Sequence, residues 1–209
     1  MVTNNSFEKK DENISLKDKL DYYATSCTAY DHYAAIAKQT MQSLYDNRTS
    51  VDVEKSRELL RQNQNAENMT NQLTKVKQAT EMDIINDPSF VAYSRNLINQ
   101  SSINGISLND KINYLTAANI AFDHYAAIAD QTLQTLHNER GSLDLDRIKG
   151  ILAQNQEVES NAKYYTQIKT LTTESIIQDP SFIDYSANIV TQQELAPTRE
   201  NSLPTNILK

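Results

Sequence analysis

The chain has 209 residues and a formal net charge of −7, with 11 tyrosines, no tryptophan, one cysteine, three glycines and four prolines. This balance excludes a broad surface for phosphate backbones or anionic lipid, which relies on clustered Lys and Arg, and no nucleic-acid partner is expected. A lone cysteine excludes an intramolecular disulfide framework, and the scarcity of Gly and Pro leaves few turns, so helices are expected and sheets are not.

Residues 1–13 are polar and charged and read as a flexible N-terminal arm without the apolar core of a secretory signal. Ser15-Leu16-Lys17-Asp18 then fits a helix start, with a hydroxyl to accept from a free backbone N–H and a carboxylate at the positive end of the dipole. From Leu16 through Leu20, Tyr23, Cys27, Tyr30, Ala34, Ala37 and Met41 to Leu44, apolar residues fall alternately four and three apart. That spacing places them on one seam of a helix over about 16–46, roughly 45 Å long at the usual rise per residue. A short connection follows, with Ser50 as the expected cap and Asp52 in the first turn of a second long helix. Asp87-Pro88 punctuates that helix and opens a short third one over about 88–100, carrying Phe90, Tyr93 and Leu97.

The chain then begins again. Asp31-His32-Tyr33-Ala34-Ala35-Ile36-Ala37 recurs letter for letter from Asp123 to Ala129, and Asp87-Pro88-Ser89-Phe90 recurs from Asp179 to Phe182 without an insertion between the two anchors. A unit of roughly ninety residues written twice implies two helical repeats. The divisions are repeat 1 over 14–105, repeat 2 over 106–194 and an irregular tail over 195–209. In repeat 2, Ser107 caps the first helix (about 108–138), Ser142 the second with Asp144 in its first turn, and Asp179-Pro180 the third (about 180–193). The fold class expected is all-α: a long-helix, long-helix, short-helix unit in tandem, packed as an elongated pseudo-twofold bundle. Short connections make the first two helices of each copy an antiparallel hairpin.

Identity between the copies concentrates in three segments, which therefore share a task. Two of them, Asp31–Ala37 and Gln62-Asn63-Gln64 (Gln154-Asn155-Gln156 in the second copy), are expected to meet across each hairpin. A turn centred near residue 48 or 49 sets Asn63 opposite Ala34, one turn from Asp31 and His32. In the second copy Asn155 falls opposite Ala126, near Asp123 and His124. Alanines let the backbones approach, while amides interrupting an apolar stripe fix register at some cost in stability. Tyr22, Tyr33, Tyr114 and Tyr125 lie off the main seam and form a candidate interaction surface, since aromatics with a polar tip suit interfaces.

Chemistry is thinly represented. Adjacent Asp and His point about 100° apart on a helix, and neither His32 nor His124 has an acidic residue three or four positions away, so neither has the Glu-x-x-His spacing of bundle metal sites. Cys27 is Asn119 in the second copy, and no Gly-rich phosphate loop or nucleophile elbow occurs. The expectation is a non-enzyme without cofactor: an interaction module, serving as adaptor, secreted effector or assembly factor, that presents duplicated surfaces to a protein partner. Self-association stays open. The alternative is a metal or small-ligand site using His32 and His124. With no membrane span in the sequence, a cytoplasmic location or export without a cleavable signal is expected, and the Asn- and Gln-rich composition is compatible with a bacterial protein delivered into host cells.

Overall fold

The computed structural model describes residues 14–48, 52–100, 105–141 and 144–195. They form six helices: α1 (Leu16–Asp46), α2 (Val53–Ile85), α3 (Pro88–Ile98), α4 (Leu108–Glu139), α5 (Leu145–Ile177) and α6 (Pro180–Leu195). No strand occurs among the described residues, and none of these helices is long and apolar enough to cross a membrane. The expected arm over 1–13 lies outside the described residues, as does the expected tail apart from Leu195, which closes α6.

The helix starts follow from their caps. Ser15 and Ser107 accept from the backbone N–H of Asp18 and Asp110, as their sequence pattern requires. Ser50 and Ser142, expected to cap α2 and α5, lie outside the described residues. Asp52 and Asp144, placed by sequence in the first turn, are themselves the caps and accept from the N–H of Lys55 and Arg147. Asp87 caps α3 by accepting from Ser89 N–H, with Pro88 supplying a fixed φ where no donor is needed; Asp179 accepts likewise from Ser181.

Helices α1 and α2 pack as one antiparallel hairpin and α4 and α5 as another. Their register differs from the expected one. Asn63 lies opposite Thr40 and not Ala34, and Asn155 opposite Thr132 and not Ala126. The Thr40–Asn63 pair centres the hairpin between residues 51 and 52 instead of at 48 or 49, so the residue facing each amide lies six positions, more than one and a half turns, further along its helix. Each hairpin is further fixed near its open end: Lys19 bonds to Asp87 and Lys111 to Asp179, joining the start of one long helix to the end of the other.

The hairpins are joined through α2 lying along α4 and through α3, which seats on α4 and α5. Phe90 is 0% exposed and stacks on Tyr165 with ring centroids 5.9 Å apart. Tyr93, 5% exposed, stacks on Tyr114 at 4.1 Å, and its hydroxyl hydrogen-bonds Thr172 Oγ1 at 2.8 Å. Ile84, Ile85 and Ile168 complete this core against Ala117, Ala118 and Ala121, whose small side chains admit the aromatic rings. The short helix of the second half is placed differently. It packs on α5, but Phe182 is 37% exposed and Tyr185 64% exposed. The two short helices are thus covered differently.

Candidate interaction surface

The expected amide cluster resolves into two buried residues with exposed neighbours. Asn63 accepts from Thr40 Oγ1 at 2.9 Å and donates to Glu67 Oε1 at 2.6 Å. Asn155 accepts from Thr132 Oγ1 at 2.7 Å and donates to Glu159 Oε1 at 2.7 Å. Each amide thus pairs its acceptor and one donor inside a long hairpin, which supports a register role. Gln62, Gln64, Gln154 and Gln156 are exposed, and Gln62 bonds Glu58 on its own helix. Asp31, His32 and Asp123 are also exposed and lie away from these amides because of the register shift. The amides thus bond Thr40 and Thr132, three residues past the repeated Asp-His segments, whose last residues Ala37 and Ala129 have carbonyls bonded by the same threonine hydroxyls.

The two histidines occupy different surroundings. His32 is exposed and meets Tyr33 edge-on. His124, half-buried, faces Glu81 of α2, and its Nδ1 donates to the carboxylate at 3.0 Å. Tyr23 of α1 donates to the other oxygen of Glu81, also at 3.0 Å. Burial, then the neighbouring Glu81, drives the Tyr23 phenol far above its ordinary value, so it stays a donor. This Tyr–Glu–His chain ties α1, α2 and α4 at one side of a groove of about 600 Å³ whose walls include Tyr30, Lys77, Met82 and Ile128. Each carboxylate oxygen of Glu81 accepts one bond, and Cys27 is half-buried beside Tyr23. Among the described residues no three His, Cys, Asp or Glu side chains come together in a way that could hold a metal ion. The network holds two hairpins at a fixed separation.

Of the four tyrosines expected at a surface, Tyr114 and Tyr125 are drawn into the junction, where Tyr114 meets Tyr93 and Tyr125 stacks on Tyr165 at 5.7 Å. Burial pushes the Tyr165 phenol up to about 12, and raises those of Tyr93, Tyr114 and Tyr125 as well. Tyr33 is half-buried, and only Tyr22 stands open, 59% exposed. In the second copy both pack against other aromatic rings of the junction, whereas in the first copy only Tyr22 is open.

A run of exposed apolar residues lies on α6 and the end of α5, which the sequence analysis did not select. Ile177, Phe182, Ile183, Tyr185, Ile189 and Val190 are all exposed. At the counterpart positions of the repeated sequence, Ile85, Phe90 and Tyr93 are buried, Leu97 and Ile98 are packed against the core, and Val91, like Ile183, is exposed. The signal was present in Asp179-Pro180-Ser181-Phe182: a sequence that buries its phenylalanine in one place has the same apolar character in the other. Compared with known proteins, the chain matches no family model, no curated protein and no solved structure.

Proposed function

We propose that this is a non-enzymatic protein-interaction module built from a duplicated helical unit, with α6 as its docking helix. The observation that carries this reading is the apolar stripe of Phe182, Tyr185 and Ile189, left open to solvent on a helix whose counterpart buries the same positions. An exposed apolar stripe with aromatic anchors is costly to leave in water and is the usual chemistry of a protein-binding face. The cap at Asp179 and its bond from Lys111 hold α6 at a defined angle to α5, so the stripe is presented on a fixed element.

The test is a photoactivatable crosslinker placed at Tyr185 of the full chain in cells that make it, with Tyr45, equally open on α1, as the control site. A discrete protein adduct from position 185 and none from position 45 is the expected result. Absence of any adduct at 185, or equal diffuse labelling at both sites, overturns the reading.

A second reading, a small-ligand site, draws on the groove beside His124 and Glu81. It gains nothing from His32, which lies on an open face without a carboxylate partner. Elemental analysis of the purified chain bears on its metal form, since stoichiometric metal favours it and displaces the docking reading.

A further inference from the structure

Resting on the reading of α6 as a docking helix, we propose that its partner is a second copy of this chain, bound head to tail. The α6 face of one molecule seats on the α1–α2 face of the next, as α3 seats on α4 and α5 within one molecule.

The internal junction supplies the template. Its donor is α3, through Phe90 and Tyr93, and its acceptor consists of Tyr114, Tyr165, Ile168 and Thr172. In the repeated sequence the donor positions become Phe182 and Tyr185, and the acceptor positions become Tyr22, Leu73, Val76 and Thr80. Val76 is 47% exposed, Tyr22 more so, and Leu73 and Thr80 are half-buried. One end of the molecule therefore carries a donor without an acceptor, and the other an acceptor without a donor. Stacking of Tyr185 on Tyr22 and a hydrogen bond from its hydroxyl to Thr80 reproduce the internal contact with the same residue types.

The Asp-His-Tyr-Ala-Ala segment agrees. In the second half it lies against α2, with His124 half-buried on Glu81 and Ala129 buried, whereas His32 in the first half is exposed and Ala37 only half-buried. Two of the segments most alike between the copies, this one and Asp-Pro-Ser-Phe, are thus the two sides of the internal junction, and each has a free second example. The replacements are informative too. Leu73 stands where Tyr165 stands, and Thr173 where Glu81 stands, so the intermolecular junction lacks one aromatic stack and the His–carboxylate bond. It is weaker than the internal one and reversible. Because the contact is heterologous, each added molecule leaves one end of each kind free, and assembly does not close at a dimer.

Sedimentation velocity of the full chain over rising concentration tests this. The weight-average mass is expected to climb past that of a dimer. Tyr185→Asp and Tyr22→Asp, both at exposed positions and both checked for helicity by circular dichroism, are each expected to weaken self-association about tenfold or more, as loss of an aromatic anchor does. An equimolar mixture of the two variants is then expected to form a one-to-one complex and no more, since each retains the intact end the other lacks. A wild-type chain that stays monomeric at every concentration overturns the inference, as does a dimer that neither variant disturbs or that the mixture fails to restore. In the monomeric case an adduct between position 185 and a different protein leaves α6 a docking helix and removes only the second copy as its partner.

Discussion

Replacing Phe90 by alanine is expected to cost about 3–5 kcal/mol of unfolding free energy, and replacing Phe182 by alanine about 1–2 kcal/mol. The two residues occupy the same place in the same four-letter motif, so local propensity and capping cancel in the comparison. What differs is the neighbour. Phe90 is fully enclosed between α3 and α5 and stacked on Tyr165, and truncation leaves a cavity in a junction that includes Ile84 and Ile168. Phe182, 37% exposed, has solvent on one side, so its loss removes less buried area than that of Phe90 and leaves no enclosed cavity. Urea unfolding of both variants at low protein concentration checks this, and equal losses at the two positions contradict it.

The second large effect is expected at Asp87. Its carboxylate caps α3, accepting from Ser89 N–H and Ser89 Oγ, and bonds Lys19 on α1. Asp87→Ala removes the cap and leaves Lys19, itself mostly covered, without its counter-charge, a combined loss of about 2–3 kcal/mol. The same residue gives the protein an acid limb. Burial acts to raise the Asp87 carboxyl, but the bonds from Lys19 and Ser89 outweigh it and hold it below the ordinary carboxylate value. Asp179 is lowered in the same direction, chiefly by its bond from Lys111. A carboxyl depressed in the folded state stabilises it above the unfolded value, about 4, and that contribution fades as pH falls through the folded value. Unfolding free energy measured from about pH 7 down to about pH 2.5 is expected to drop below about pH 4 in the parent chain and to drop less in Asp87→Ala. An unchanged acid limb in that variant shows that other carboxylates set it.

Much of the fold was legible because helix rules are local. The alternating stripe from Leu16 to Leu44, the Ser15 and Ser107 caps and the Asp-Pro breaks each depend on residues within a turn or two, and the helix bounds fall where those signals stand. Register was not legible to the same degree. It depends on where α2 begins and on how the two long faces pack; Ser50 and Asp52 are both good caps, and a cap at Asp52 shifts the pairing by only part of the distance from Ala34 to Thr40. The amides were correctly read as interruptions of an apolar stripe, yet their partners, Thr40 and Glu67, carry no distinguishing mark in the sequence.

The surface was the least legible part. Tyr22 and Tyr114 are counterparts with like surroundings in sequence, but one is open and the other stacked on Tyr93. The same holds for His32 and His124, and for Phe182 and Phe90. What separates the members of each pair is only whether another helical unit lies beside them, a property of position in the array that periodicity within a helix does not encode.

Hydrogen–deuterium exchange of the full chain at two protein concentrations bears most directly on the docking of α6. At low concentration the amides of α6 are expected to exchange quickly and those of α3 slowly, since α3 is packed on α4 and α5 and α6 has an open face. Raising the concentration is expected to slow α6 together with the stretches around Tyr22 in α1 and Val76 in α2, and to leave the interior of α4 unchanged. Protection that does not depend on concentration, or that grows on α6 without any change around Tyr22 and Val76, contradicts head-to-tail docking.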